Sequence, residues 1–295
     1  MSPITPSFSI IIPTYNRPAQ LFRCLQAIDR LTYPRDRFEV LVVADGSPIP
    51  LEGTMETFSR HMTVKLISQS NSGPGHARNR GATEARGDFL AFTDDDCTPT
   101  PGWLDALANA VRDDPDCGIG GKTVNRLTNN LYSETSQLLL DYLYEYYNRD
   151  VRTSRFFASN NLAFPRNAFR AIGGFDPSFK FAAAEDRELC DRWVAQDRRL
   201  RFAPDALVFH SHPLTCRTFW RQHFNYGKGA FSFHHMKARP GWEPLAFYLK
   251  LFAYPFHASS WKRAMAVLPL VFITQIANTC GYFMSWNDAV LNKID

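Results

Sequence analysis

Short β-branched runs alternate with helix-length stretches through the first third of the chain, and that alternation restricts the fold more than any other feature. Phe8-Ser-Ile-Ile-Ile12 is stopped by Pro13 and reads as a buried strand. Pro18 to Leu31 places Leu21, Leu25 and Ile28 at helical spacing with arginines between them. Phe38 to Val43 is a second apolar run, closed by the turn cluster Asp45-Gly46-Ser47-Pro48. Thr63 to Ile67 predicts a third strand, Gly75 to Ala85 a helix, and Asp88 to Phe92 a fourth strand. Strands separated by helical stretches of this length predict an α/β fold, a mostly parallel sheet flanked by helices.

In open α/β sheets ligands bind outside the carboxyl ends of the strands. Three predicted strand ends carry polar residues: Thr14-Tyr15-Asn16-Arg17, Asp45-Gly46-Ser47 and Asp94-Asp95-Asp96. One aspartate at such an end is what a helix cap needs, whereas three in a row exceed it. The chain's 33 basic and 29 acidic residues leave a net charge of +4, a slight tilt without the clustered footprint of a nucleic-acid binder. The cysteines Cys24, Cys97, Cys117, Cys190, Cys216 and Cys280 are irregularly spaced with no CxxC pair, which predicts reduced thiols and neither a disulfide framework nor a structural zinc site. The opening MSPITPSFSIIIPTYN lacks the charged and apolar regions of a secretory leader, so a cytoplasmic location is expected.

Asp94-Asp95-Asp96 is the strongest local signal. Adjacent carboxylates repel one another until a cation neutralises them, and Mg²⁺ or Mn²⁺ commonly takes one or two carboxylates together with substrate phosphates. Strand alternation would put Asp94 and Asp96 on one side and Asp95 on the other. Upstream, Gly73 and Gly75 in Asn71-Ser-Gly-Pro-Gly-His-Ala-Arg-Asn-Arg-Gly81 free the backbone before a helix, where N–H groups favour an anion, and Arg78 and Arg80 add positive charge. Glu185-Asp186 opens a further helix; acids there suit the helix dipole, and one of them could also serve as a general base. Gly173-Gly174-Phe175-Asp176 reads as a flexible turn lining a cleft. His210 and His212 end the run Val208-Phe209-His210-Ser211-His212, and either could complete a metal site; His210, directly at the strand end, is preferred.

Taken in order, SIIIPTYNRP (Ser9–Pro18), VLVVADGSP (Val40–Pro48), NSGPGHARNRG (Asn71–Gly81), GDFLAFTDDD (Gly87–Asp96), ASNNLAF (Ala158–Phe164), IGGFD (Ile172–Asp176) and AEDREL (Ala184–Leu189) make the chain resemble the family 2 glycosyltransferases. FWRQHFNYGKG (Phe219–Gly229) resembles a later segment of the same enzymes. The resemblance implies the GT-A (Rossmann-like) fold and metal-dependent, inverting transfer of one sugar from a nucleotide diphosphate sugar to an acceptor hydroxyl, in polysaccharide or glycolipid assembly. It assigns Pro13, Tyr15 and Asp45 to the nucleoside pocket, Arg78 to the side of the nucleotide, and Asp94 and Asp95 to the ribose and diphosphate. Asp96 becomes the principal ligand of Mn²⁺ or Mg²⁺, with Asp94 and His210 around it, and Asp186 the catalytic base with Glu185 beside it. Ala44 stands where the family often has a first aspartate, while the second, Asp45, is kept. No QxxRW motif of the processive synthases occurs, which points to single-sugar transfer. A nucleotide-sugar-binding regulator without catalysis would share the pocket, but Asp94, Asp96 and Asp186 are all retained.

The expected organisation is a catalytic domain over residues 1–230, with a nucleotide-sugar half at about 1–100 and an acceptor half at about 101–230, followed by a helical apolar region over 231–295. Leu245 to Phe256 and Ala266 to Trp286 are strongly apolar, with Lys228, Lys237 and Arg239 before them and Lys262-Arg263 between. Pro269, Gln275, Asn278 and Gly281 interrupt the second run, so it is expected to lie on an anionic membrane surface, at the inner face of the cell membrane, rather than span it. Two helices packed on the catalytic domain or at a dimer interface are the competing expectation. The acceptor is expected to be a saccharide or a lipid-linked one.

Overall fold

Every residue of β1 (Phe8–Thr14) is buried, as befits a strand with neighbours on both edges and cover on both faces. The computed structural model describes residues 5–112, 114–149, 154–179, 183–237 and 242–291. Contacts divide the chain into two compact units, one of Met1–Val124, Tyr147–Lys180 and Asp186–Ser211, the other of Asn125–Tyr146, Phe181–Glu185 and His212–Asp295.

In the first unit, β1 pairs in parallel with β2 (Phe38–Asp45) and with β4 (Phe89–Thr93), and β2 pairs in parallel with β3 (Val64–Gln69). The helices α1 (Pro18–Ile28), α2 (Glu52–Ser59) and α3 (Pro74–Glu84) make the crossovers. The α1 boundaries follow from Pro18 at its start, where a missing N–H costs nothing. It buries Leu21, Cys24, Leu25 and Ile28, one stripe at helical spacing, into the core with Ile10, Ile12, Val40 and Val42.

Beyond β4 the pattern changes. The sheet order is β3-β2-β1-β4-β7-β6-β8-β5, with β5 (Cys97–Pro99), β6 (Gly118–Asn125), β7 (Asn161–Pro165) and β8 (Leu200–His210). β7 runs antiparallel to β4 and to β6, and β5 antiparallel to β8. The sheet is therefore mixed, its parallel half ending at β4. The helices of this stretch are α4 (Trp103–Val111), α5 (Leu131–Tyr147), α6 (Arg166–Ala171) and α7 (Glu185–Val194). Asn161, fully buried, ties three strands together: its amide donates to the Lys122 carbonyl on β6 at 2.9 Å and the Ala206 carbonyl on β8 at 2.8 Å. Its carbonyl accepts the Trp103 indole N–H from α4 at 2.9 Å. A buried amide with all these groups paired fixes register without an unsatisfied polar atom.

The second unit is helical: most of α5, then α8 (Cys216–Lys237), α9 (Leu245–Ala258) and α10 (Trp261–Leu291). Leu138, Leu139 and Tyr142 of α5 share a core with Phe247 and Leu251 of α9 and with Val267 and Val271 of α10. Glycines let α8 and α10 approach closely, since a Cβ on Gly227 would meet the Asn278 carbonyl at 1.9 Å and one on Gly281 the Phe224 carbonyl at 1.9 Å. Two of the four interruptions seen in the sequence have a packing reason, since Gly281 lies on the buried face of α10 and the Asn278 backbone lies against α8, whereas Pro269 is exposed and Gln275 half-buried. The opposite face of α10 leaves Met265, Phe272, Ile276, Phe283 and Trp286 about half exposed. Of the basic residues that flank these helices, Arg263 is paired with Glu134, Lys262 is exposed, and Arg239 lies outside the described residues.

Candidate active site

The strand order reverses at β1, with β2 on one side and β4 on the other, so a crevice opens at their carboxyl ends. Each of the three ends brings acids or their partners to it.

β4 stops at Thr93, and Asp94 to Cys97 form a tight turn closed by the Cys97 N–H on the Asp94 carbonyl at 3.0 Å. Alternation along a strand therefore does not govern the three aspartates. Asp95 and Asp96, rather than Asp94 and Asp96, act as a pair: one nitrogen of the Arg17 guanidinium lies 3.3 Å from Asp95 Oδ1 and 3.0 Å from Asp96 Oδ2. Asp95 Oδ2 also accepts the Thr14 hydroxyl at 2.8 Å. Burial first, and the Asp96 charge second, push the Asp95 carboxyl up to about 7, while Arg17 and Thr14 favour its charged form. Asp94 turns away to Arg78, at 2.7 Å.

Asp96 Oδ1 faces His210 Nε2 at 3.2 Å, and the Ser211 N–H donates to the Asp96 carbonyl at 2.9 Å. Burial opposes charge on His210, but the Asp96 carboxylate outweighs it and leaves the imidazole pKa above its ordinary value. A buried carboxylate beside an imidazole, with two further carboxylates next in sequence, is a donor set that suits Mn²⁺ and tolerates Mg²⁺. His210, at the end of β8, belongs to a group whose candidate ligand atoms lie within 4.8 Å of one another. His212 is the first residue of the second unit's last segment.

Asp45, at the end of β2, is spent on shaping the loop before α3. Its Oδ1 accepts from Gln69 and from the Ser72 N–H, both at 2.8 Å, and its Oδ2 accepts the Gly73 N–H at 2.9 Å. Gly73 has φ +94°, a conformation that side chains disfavour, and it caps α3. Five residues on, Arg78 is buried and stacks at 5.5 Å over the Phe175 ring. Phe175 is held by Asn79, whose side chain exchanges hydrogen bonds with the Phe175 N–H at 2.9 Å and carbonyl at 2.7 Å. The Gly173-Gly174 turn, with φ of +87° and +69°, is thereby pinned onto α3. Arg80 instead pairs along its own helix with Glu84 at 3.2 Å, away from these groups. Pro13 is buried in β1 opposite Val43, and Tyr15 is half exposed at the strand end.

Asp186 follows Ala184, a non-glycine residue at φ +67°. Its carboxylate accepts the Arg187 N–H at 2.8 Å and the Ser159 N–H at 3.3 Å. Burial raises its pKa above the ordinary value, with those two N–H groups and then the Arg78 charge opposing the rise. Arg78 thus connects Asp94 and Asp186 electrostatically. Glu185 is buried and falls in the second unit. Sequence reasoning placed Thr14 and Arg17 at a ligand-binding strand end but gave neither a role; the signal available was their position, Thr14 ending β1 and Arg17 directly before the Pro18 that starts α1.

A pre-mycofactocin glycosyltransferase of Mycobacterium tuberculosis is 29% identical over 231 residues, covering 75% of this chain and 46% of that protein. A probable glycosyltransferase of Bacillus subtilis, YdaM, is 28% identical over 240 residues, covering 76% of this chain and 55% of that protein. The chain spans about half the length of these curated relatives. Among solved structures, a mannosyltransferase from Pyrobaculum calidifontis in complex with GDP-Man and Mn²⁺ superposes with a TM-score of 0.63 at 21% identity, covering 95% of this chain and 85% of that one. Residues 1–349 of S. aureus TarS give 0.59 at 17% identity, covering 97% and 92%. These likenesses establish the GT-A glycosyltransferase fold. The Glycosyl transferase family 2 model matches residues 9–173, more than half of the 295 residues, and the chain belongs to that family of sugar-transferring enzymes.

Proposed function

We propose that the chain is a metal-dependent, inverting glycosyltransferase that moves one sugar from a nucleotide diphosphate sugar to an acceptor hydroxyl. The observation that carries the reading is the gathering of Asp95, Asp96, Arg17 and His210 at one switch-point crevice, linked through Asp94 and Arg78 to Asp186. The solved mannosyltransferase with GDP-Man and Mn²⁺ supports a nucleotide-sugar donor and a divalent cation.

Asp96 and His210 would hold the cation. When bound, it would neutralise charge that develops on the departing diphosphate. Pro13, Tyr15 and the loop stapled by Asp45 would receive the nucleoside, and Arg78 would face the phosphates. Asp186 is the base of this scheme. The acceptor oxygen bonds to C1 as the bond from C1 to the diphosphate oxygen breaks, the hydroxyl proton passes to Asp186, and the configuration at C1 inverts. A carboxylate with a raised pKa is a stronger base than an exposed one, which suits the role.

The exposed apolar face of α10, with Leu245 and Leu249 of α9 and the exposed Lys262, supports a place on an anionic bilayer and a lipid-linked acceptor in polysaccharide or glycolipid assembly. Only 33% of the most apolar stretch of α10 is buried within the chain, so much apolar surface of that helix is left uncovered.

A panel of nucleotide sugars with Mn²⁺ or Mg²⁺, scored by donor hydrolysis, tests the core of the reading. One donor should turn over, and both excess EDTA and Asp96→Ala should abolish turnover. Full activity in EDTA overturns the metal requirement.

A further inference from the structure

Arg17 sits where it neutralises Asp96, the carboxylate that would hold a cation, together with its neighbour Asp95. A single guanidinium nitrogen spans Asp95 Oδ1 and Asp96 Oδ2, and those side chains are only 5% exposed while that of Arg17 is 42% exposed. The charge that offsets two buried acids is therefore carried at the crevice mouth by a side chain open to water. Its backbone, by contrast, is fixed. Arg17 caps α1, with its carbonyl accepting the Leu21 N–H at 3.0 Å, Pro18 follows it, and the N–H of Asn16 before it donates to Ser47 Oγ at 2.9 Å. An anchored backbone with a half-exposed side chain lets the guanidinium swing while its starting point stays put. Arg78 offers no such movement, being 3% exposed, paired with Asp94 and packed on Phe175.

Resting on the metal-dependent reading above, we propose that Arg17 is a resident counter-cation that couples the two ligands: it holds Asp95 and Asp96 together in the empty site and turns onto the diphosphate when metal and nucleotide enter. The charges favour the exchange. Three carboxylates face two guanidiniums and the His210 imidazole in the resting site. A divalent cation arriving alone must compete with Arg17 for the same oxygens, and like charges repel. A diphosphate arriving with it gives the displaced guanidinium a partner of matching fork geometry. Metal therefore binds weakly by itself and more tightly with nucleotide, and the coupling is reciprocal. Arg17 is in this scheme a positioning residue.

The test uses the whole chain, with bound Mn²⁺ followed by the loss of its free-ion electron paramagnetic resonance signal. Arg17→Ala removes the competitor, so Mn²⁺ alone should bind about three- to fivefold more tightly than to wild type, the range expected for a partly exposed ion pair. With excess Mn²⁺, the same variant should bind whichever of UDP and GDP the wild type prefers about tenfold more weakly, as for a lost charge-assisted hydrogen bond. The two shifts have opposite signs, whereas mere damage to the site would weaken both. Arg17→Lys keeps a competing charge without the fork, so its Mn²⁺ affinity should stay near wild type while nucleotide binding falls. Unchanged or weakened Mn²⁺ affinity in Arg17→Ala, with binding still lost in Asp96→Ala, overturns the role of Arg17 and leaves the metal site intact. Absence of Mn²⁺ binding to wild type, even with UDP or GDP, overturns the metal reading and the inference together.

Discussion

Asp186 carries its carboxylate on two backbone N–H groups, an arrangement that fixes its direction without taking up every lone pair. Asp186→Asn keeps the shape and removes the proton acceptor, so nucleotide affinity should survive while kcat falls by roughly 10²- to 10⁴-fold. The sign of the pH dependence follows from burial. The base must be ionised to work, and its pKa is raised, so kcat should fall as pH drops through that raised value. The acid limb of a steady-state profile should therefore lie above the range of an ordinary aspartate, near 3.9, and a limb at or below that range would remove Asp186 from the role. At the same scale, Asp45 shows how a pocket residue works at one remove: its three accepted hydrogen bonds shape the loop, and the loop sets where α3 and Arg78 begin.

Among the elements, the one that bears most weight for its size is β7, because Asn161 joins it to β6, β8 and α4. Asn161→Ala leaves the Lys122 and Ala206 carbonyls and the Trp103 N–H without this partner inside the core. The Ala206 and Trp103 bonds are buried and the Lys122 one partly so; each stranded buried group costs about 1–3 kcal/mol, so the urea midpoint should drop by an amount equal to at least about 2 kcal/mol. A loss under 1 kcal/mol would mean that water or a shifted side chain replaces the amide. Much of the parallel half of the sheet was legible in the sequence because β1 and β2 are nearly continuous apolar runs and α1 has helical periodicity, whereas the crossover helix α2, with only Met55 and Phe58 buried, was not read. β6 was not, because Gly118-Ile-Gly-Gly121 has little side chain to read. Its room is filled from elsewhere, with a Cβ on Gly120 falling 1.9 Å from the Phe157 ring and one on Gly118 2.5 Å from Phe164. The acids of the site were legible as a cluster, and their pairing was not. Thr14 meets Asp95 across 81 residues of chain, and the turn at Asp94 cancels the alternation that a strand would impose.

At the scale of the whole molecule, the exposed face of α10 is the feature on which the proposed bilayer contact is tested. Deleting α9 and α10 would uncover Leu138, Leu139 and Tyr142 and confuse exposure with binding, so substitutions in place are the cleaner test. Met265→Gln, Ile276→Gln and Phe283→Gln together, all at exposed positions, should leave thermal stability nearly unchanged and sharply reduce flotation with anionic liposomes at low salt. Equal flotation of the two proteins, or none by wild type, would remove the bilayer from the account. The order of strands also bears on how the chain is made. During synthesis β1, β2 and β3 emerge together, yet the free edge of β1 waits for β4, and the edge of β4 then waits for β7 at residues 161–165. Through that interval the nascent chain presents Phe89–Thr93, an unpaired and mostly apolar edge, to any other strand it meets. The same insertion of β4 beside β1 that creates the crevice thus leaves an open strand edge in the growing chain until β7 has been made.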